Sequence, residues 1–194
     1  MGERMGWHTR GYLPHFDGYG CAQHVVFRTQ NSLTSEIVEE TSFMSTQAAR
    51  QWIDIQLDQS ISGRIFNDTK AALMMEETIR HFDGSRFDLL AWCIMPNHLH
   101  ALIVPLGDNQ LGKIVRCWKM QATKRLGGGQ VFAADYFERF VRDTRHLAIT
   151  LAYIENNPVK AGLCGQPHDW PWSSASKKAQ GWVPNTSNCP VFMK

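Results

Sequence analysis

The chain has 194 residues, 43% of them hydrophobic and 20% charged, which is enough to build one domain with a substantial core. That composition excludes an intrinsically disordered chain, which has too few apolar residues to offset the entropy lost on ordering. A formal net charge of +2 excludes a uniformly basic binder, so any contact with nucleic acid must come from local patches. Five scattered cysteines without a C-x-x-C pair or a secretory signal predict reduced thiols and a cytoplasmic protein.

The first half of the chain predicts an arm, a strand and two helices. Residues 1–20 mix glycine, proline and aromatic residues without a period, which indicates an ordered arm or loop. Residues 21–29 alternate as a strand does, and this strand places Arg28 on one sheet face near the strand end. Residues 35–60 and 67–81 have apolar side chains at helical spacing.

The second half predicts a hairpin and two further helices. Residues 87–94 and 98–104 read as strands joined by a tight turn. Residues 111–125 and 144–156 have helical spacing, and Asn157-Pro158 is expected to end the last helix. This order of elements predicts an α+β fold, in which helices pack on one side of an antiparallel sheet.

Two histidines open the second strand of the hairpin, in the stretch MPNHLHALIVP. Residues two apart on a strand project from the same face, so His98 and His100 are parallel while Leu99 points the other way. Two imidazoles placed like this can bind one metal ion, but a third protein group must complete the site. On this pattern alone, two partly buried histidines bonded to the backbone explain it equally well.

A phenol and a carboxamide share one face of the last predicted helix, in the segment YIENNP. Tyr153 and Asn157 are four residues apart, which is about one helical turn. A carboxamide oxygen is a hard ligand of the kind that Mg²⁺ or Mn²⁺ accepts. Without the histidines, Tyr153 would read as an amphipathic core tyrosine with its hydroxyl at the edge.

Together the two motifs predict a reaction on a phosphodiester. His98, His100 and Asn157 would hold a divalent ion that polarises the phosphate, and Tyr153 would attack the phosphorus in line. Because the pKa of a phenol is about 10, a phenolate leaves far more readily than an alkoxide, so the covalent phosphotyrosine stays reversible. The predicted chemistry therefore includes strand transfer as well as cleavage.

The chain resembles a known family over residues 10–176. The segments that carry the resemblance occur in order and read RGYLPHFDGYG, HVVFRTQNSL, HFDGSRFDLLAWCIMPNHLHALIVP, DYFERFVRDTRHLAITLAYIENNPVKAGLC and DWPWSS. They are similar to the single-tyrosine HUH transposases, specifically the REP-associated tyrosine transposases. The resemblance implies a ferredoxin-like fold of the palm type in a domain of residues 1–176, with an arm at 1–20 and a C-terminal tail at 177–194. The chain departs from the family at Phe132-Ala133-Ala134, where a bulky polar or aromatic pair is common.

The resemblance also implies roles for the motif residues. His98 and His100 match the histidine-hydrophobe-histidine motif, Tyr153 matches the nucleophile, and Asn157 matches the third metal ligand. Enzymes of this family use Mg²⁺ or Mn²⁺ to cleave single-stranded DNA at REP-type hairpins. They form a 5′-phosphotyrosine and release a free 3′-hydroxyl.

Candidate DNA contacts lie outside this constellation. Arg10 and Tyr12 in the arm combine a cation with a ring, as single-strand binders do, although a disordered or packed arm explains them equally. The helix at 111–125 carries a basic face that suits a hairpin backbone, although solvated surface is the default for such residues. The predicted DNA-binding residues are Arg10, Tyr12, Arg28, Arg116, Lys119, Lys124 and Arg125.

Two functions of other classes remain open on the sequence. A metal-dependent hydrolase could use the histidine pair with water as nucleophile, but Tyr153 would then have no role. A nucleic-acid-binding module on the same sheet would need no chemistry, but the strands lack the exposed aromatic residues of an RNA-binding sheet. A covalent protein–DNA adduct would form only with the tyrosine nuclease.

Overall fold

The structure is a computed structural model that describes residues 6–10, 13–17 and 20–189. The N-terminal strands β1 (Gly6–Arg10) and β2 (Leu13–Asp17) pair antiparallel as a separate hairpin. Sequence periodicity predicts only an arm or loop here. The five-residue strands owe their form to pairing with each other rather than to alternation along the chain.

Four strands form the central antiparallel sheet, in the order β4-β5-β3-β6. β4 and β5 are the predicted hairpin, all of whose residues are buried, and their bounds differ from the prediction by one residue at most. β3 lies inside the sheet, where one of its edges pairs with β5 and the other with β6. The strands are β3 (Gln23–Arg28), β4 (Phe87–Ile94), β5 (His98–Pro105) and β6 (Phe137–Phe140).

The predicted helix at 35–60 is two helices, because a 3₁₀ turn at Thr41–Phe43 interrupts it and Ser45 caps the second part. The last long helix continues past Pro158 to Lys160, so the prediction that Asn157-Pro158 ends it was wrong. A proline in the last turn removes only one N–H donor, and the helix ends at Lys160, two residues before Gly162, whose φ is positive. The helices are α1 (Ser35–Glu40), α2 (Thr46–Gln59), α3 (Thr69–Arg80), α4 (Leu111–Arg125), α5 (Thr144–Lys160) and α6 (Ser174–Ala179).

Helices α3 and α4 pack on one face of the sheet, which confirms the predicted α+β class and its layer of helices. The core on this face includes Leu99 from β5, Met75 from α3 and Trp118 from α4. α5 lies on the other face, where its Leu147 and Ile154 belong to a second core cluster with β4 and β5. His98 and His100 project from this second face, where α5 contacts His100 and α2 approaches His98.

The segment after α5 packs against the edge strand β4. The backbone N–H of Ile94 donates to the carbonyl of Trp172, and the indole of Trp170 donates to the carbonyl of Ile94, both at 2.9 Å. Further along, Asn185 donates to the buried carboxylate of Asp88 at 2.9 Å. The five cysteines are free. None of the described helices is long and apolar enough to cross a membrane.

Candidate active site

The pairing of β3 with β5 puts three histidines on one face of the sheet. Val26 lies opposite His100 in the register, so His24, two residues before Val26, projects from the same face. Nε2 of His24 lies 3.2 Å from Nδ1 of His100, and the two rings are stacked. Sequence analysis missed His24, because the alternation of β3 shows which face it takes but not which strand lies beside it.

The Nε2 atoms of His98 and His100 converge to 3.0 Å. Nδ1 of His98 lies 2.8 Å from Oδ1 of Asn97, and Nδ1 of His100 contacts His24. Because the Asn97 oxygen can only accept, Nδ1 of His98 donates to it and Nε2 of His98 keeps a lone pair, which is how metal-binding histidines are oriented. Burial first, and then the neighbouring histidine, lowers the pKa of each imidazole well below its usual value, so both stay neutral.

Helix α5 brings the carboxamide of Asn157 to the same point. Its Nδ2 lies 3.0 Å from Nε2 of His100, and its side chain is fully buried rather than at a frayed helix end as predicted. Its Oδ1 is buried without a hydrogen-bond partner among the described residues. A 180° turn of the amide would exchange the two atoms and aim the oxygen at the imidazoles. A buried carbonyl without a partner costs about 1–3 kcal/mol, and a cation would remove that cost.

These three side chains fit a divalent metal ion. Two ligands bound about 2.1 Å from an ion and at right angles to each other lie about 3.0 Å apart, which matches the separation of the Nε2 atoms. Neutral imidazoles are the form that binds metal. In the part of the chain that the structure describes, no group of three or more histidine, cysteine or carboxylate side chains could hold a metal ion. The amide of Asn157 is the carboxamide that lies beside the two imidazoles.

Tyr153 lies one turn before Asn157 on α5, half-buried at the side of the histidines. Its Oη donates a hydrogen bond of 2.6 Å to Oδ2 of Asp54 on α2. Burial raises the pKa of Tyr153 above its usual value, and the charge of Asp54 and this hydrogen bond raise it further. The phenol is therefore neutral, and its proton points at a carboxylate.

Two further charges border the phenol. Nζ of Lys160 lies 4.8 Å from the centroid of the Tyr153 ring. Oδ1 of Asp58, one turn after Asp54, lies 3.9 Å from Nε2 of His98. Burial first, and then the charge of Asp54, raises the pKa of Asp58 to about 6. Sequence analysis missed both aspartates, because carboxylates on a helix such as α2 read as a solvated face.

The predicted DNA contacts on α4 lie away from the histidines, since α4 packs on the opposite face of the sheet. Nζ of Lys119 donates to the carbonyls of residues 133–135 at 2.8 to 3.0 Å, and burial lowers its pKa to about 8. Lys119 thereby stabilises the loop that follows Phe132, whose sequence differs from the pattern common in the family that the chain resembles. Arg125 pairs with Glu77 of α3 and donates to a carbonyl of the same helix. The other two residues predicted on this helix are exposed, namely Arg116 and Lys124.

Among the remaining candidates, Arg28 lies on the face of the histidines. It stands opposite His98 in the strand pairing, as predicted near a strand end, and its guanidinium donates to Ser32 at 3.3 Å. Burial lowers its pKa. Arg10 ends β1, and Tyr12 lies outside the described residues.

Known proteins with similar sequences carry one family name. The chain is 32% identical to a REP-associated tyrosine transposase of Escherichia coli strain K12 over 100 residues, which cover 50% of this chain and 61% of the relative. It is 30% identical to a Haemophilus influenzae protein with the same family name over 114 residues, which cover 51% of this chain and 63% of the relative. The chain thus spans less than two thirds of the length of these relatives. No family model matches it.

A solved structure of a REP-associated tyrosine transposase bound to a REP hairpin shares the fold. The TM-score is 0.60 at 20% sequence identity, and the match covers 88% of this chain and 86% of that chain. At this identity the likeness shows the fold alone, and it agrees with the α+β class predicted from the order of elements. The sequence relatives confirm the resemblance that the motifs carry: the chain is similar to REP-associated tyrosine transposases over about half of its length.

Proposed function

We propose that this protein is a metal-dependent endonuclease and strand transferase that acts on single-stranded DNA at REP-type hairpins through Tyr153. The observation that carries the proposal is the meeting of α5 with β5. This contact sets the phenol of Tyr153 one helical turn from the amide that touches His100. The family name of the sequence relatives supports the same reaction, and the neighbour bound to a hairpin supports the same class of substrate.

His98, His100 and Asn157 would hold a Mg²⁺ or Mn²⁺ ion. When bound, such an ion polarises a phosphodiester oxygen and offsets the negative charge of the transition state. The chain itself orients the ligands, because Asn97 and His24 each bind the Nδ1 atom of one histidine. This arrangement keeps the rings aimed at one point before substrate arrives.

Asp54 accepts the proton of the nucleophile. During attack the O–H bond of Tyr153 breaks and its proton passes to Oδ2 of Asp54, while Oη forms a bond to phosphorus. The bond from phosphorus to the 3′-oxygen breaks, and the departing oxygen keeps the electron pair and takes a proton from solvent. In strand transfer a 3′-hydroxyl loses its proton to solvent and its oxygen forms a bond to the phosphorus of the phosphotyrosine. The bond from phosphorus to Oη of Tyr153 breaks, and Asp54 returns its proton to the departing phenolate.

The test is a covalent adduct on a denaturing gel. The parent protein is mixed with Mn²⁺ and a labelled DNA hairpin with a single-stranded foot, whose sequence comes from palindromic repeats beside its gene. We expect an adduct with the parent, and none with Tyr153→Phe, which keeps the ring and loses only the nucleophilic oxygen.

The same experiment separates the other two functions. A hydrolase that uses water would cut the hairpin without an adduct, and Tyr153→Phe would still cut. A binding module would shift the hairpin on a native gel and cut nothing. Cleavage that persists in excess chelator would contradict the role of the metal.

A further inference from the structure

A cleft of about 450 Å³ opens beside Tyr153, between α2, β6 and the first half of α5. The strand register explains one part of its lining. β6 pairs with β3 so that Arg139 lies opposite His24, and Arg139 therefore shares the sheet face of the histidines. Arg50 enters the cleft from α2, and Arg142 enters from the link between β6 and α5.

Three arginines around one opening repel each other. Burial lowers the pKa of Arg50 and the charge of Arg139 lowers it further, whereas the carboxylates of Glu138 and Asp54, which also line the cleft, raise it. After burial, Arg139 and Arg142 also lower the pKa of His146. Nε of Arg50 is buried without a hydrogen-bond partner among the described residues. A bound anion would relieve the repulsion and could accept from this nitrogen.

Apolar side chains share the lining with these cations. Ile149 of α5 is 58% exposed and lies in the cleft wall, together with Phe137 and Phe140 of β6. Cations beside apolar surface are the combination that binds single-stranded nucleic acid, which offers a phosphate and an unpaired base. A cleft of this volume is in the range that encloses a small ligand, so it takes about one nucleotide and excludes a duplex.

We propose that this cleft binds the nucleotide of single-stranded DNA that adjoins the bond attacked by Tyr153, an inference that rests on the proposed function. Arg139 and Arg142 each bind one of the two phosphates that flank this nucleotide, and Ile149 packs against the base. The DNA-binding surface then lies on the face of the histidines, next to the nucleophile. This position differs from that of the basic helix α4, which lies across the sheet.

Binding is measured by fluorescence anisotropy with a labelled oligothymidine strand, in the Tyr153→Phe background so that no chemistry intervenes. The salt dependence is the main readout, because each phosphate contact with a single strand adds about 0.7 to the slope of log affinity against log salt. We expect Arg139→Gln and Arg142→Gln each to lower the slope by about this amount. Between about 50 and about 200 mM salt, each variant should thus lose about 3-fold less affinity than the parent.

Two controls separate charge from folding. Arg139→Lys keeps the charge and should keep the slope of the parent. Arg86→Gln removes a cation at the far end of β4, next to the ring of Phe82, and should leave the slope unchanged. Parental slopes in both cleft variants would overturn the proposal. A duplex of equal length that shows the same change in slope would also overturn the assignment to a single strand.

Adduct formation by the protein with Tyr153 intact distinguishes this proposal from the proposed function. If the parent forms no adduct but binding of the single strand still depends on both arginines, the proposed function fails and the cleft remains a binding site. If the adduct forms equally well in the parent and in both arginine variants at limiting DNA, the cleft proposal fails and the function stands.

Discussion

Replacement of Asp54 by asparagine tests the proton transfer from Tyr153. Asparagine has nearly the same shape as aspartate and keeps an oxygen for the phenol O–H, which lies 2.6 Å from the carboxylate in the parent. It cannot accept a proton at neutral pH. The variant therefore removes the base while the position of Tyr153 changes little.

The expected loss follows from the ionisation of the phenol. A tyrosine with a pKa of about 10 is ionised in about one molecule per thousand at pH 7, and the surroundings of Tyr153 raise its pKa further. A positioned base contributes about 10²- to 10⁴-fold to the rate. Loss of the carboxylate charge also lowers the pKa of Tyr153, which returns part of the rate. We therefore expect a fall near the lower end, about 100-fold at pH 7.

The assay is the single-turnover rate of adduct formation at saturating hairpin and Mn²⁺, measured between about pH 6 and about pH 10. The deficit of Asp54→Asn should shrink as pH rises, because hydroxide then removes the phenol proton. Asp108→Asn, at an exposed turn, is the charge-matched control and should keep the parental rate. A parental rate in Asp54→Asn at pH 7, or a deficit that does not change with pH, would refute the role of Asp54 as base.

Three further outcomes are expected. Asn157→Leu should abolish the rise in melting temperature that Mn²⁺ causes in the parent, whereas Asn157→Asp should keep it. Without metal, Asn157→Leu should change the free energy of unfolding by no more than about 1 kcal/mol. Equal Mn²⁺ shifts in the parent and in Asn157→Leu would show that Asn157 is not a ligand. In excess chelator, the free energy of unfolding should fall as the pH drops from about 7 to about 5. The reason is that the His24 imidazole has a pKa of about 6.5 in the unfolded chain and a pKa lowered to about 4 in the buried site, a difference worth about 2 kcal/mol at pH 5. An equal dependence of this free energy on pH in His24→Gln would contradict the prediction. Lys119→Met should lower the free energy of unfolding by about 1–3 kcal/mol, because the ammonium group donates to three backbone carbonyls. It should leave the salt dependence of the affinity for single-stranded DNA unchanged. An unchanged free energy of unfolding together with a reduced salt dependence would make Lys119 a DNA contact.

The elements with strong periodicity could be predicted closely from the sequence. β4 and α4 have the predicted bounds, because eight buried residues and four helical turns leave little choice of structure. β6 could not be predicted, since its four residues form a strand only because β3 offers an unpaired edge. α5 continues past Pro158 to Lys160 because tertiary packing stabilises the last turn, where Asn157 is fully buried. Local signals fail where pairing or packing with distant residues decides the structure.

The candidate site also has residues that local spacing predicts and residues that only the folded structure brings together. His98 and His100 are two apart on a strand, and Tyr153 and Asn157 are four apart on a helix, so local spacing predicts each pair. The resemblance to a family joins the two pairs, and the structure brings them within hydrogen-bond distance of each other. Asp54 reaches Tyr153 across 99 residues of sequence, and no spacing rule connects an aspartate of one amphipathic helix to a tyrosine of another.

Asn97 fixes the positions of β5, β3 and α2 relative to one another. Its Oδ1 orients His98, and its Nδ2 donates to the carbonyl of Leu57 in the last turn of α2, the helix that carries Asp54. Its own carbonyl accepts from the backbone N–H of Thr29, just after β3. One turn residue thus connects the strand that carries His98 and His100, the strand that carries His24 and the helix that carries Asp54. Because a fully buried polar side chain must satisfy all its bonds at once, the position of each part constrains the others. The turn before the histidines therefore belongs to the site as much as the histidines do, although its sequence reads only as a hairpin connection.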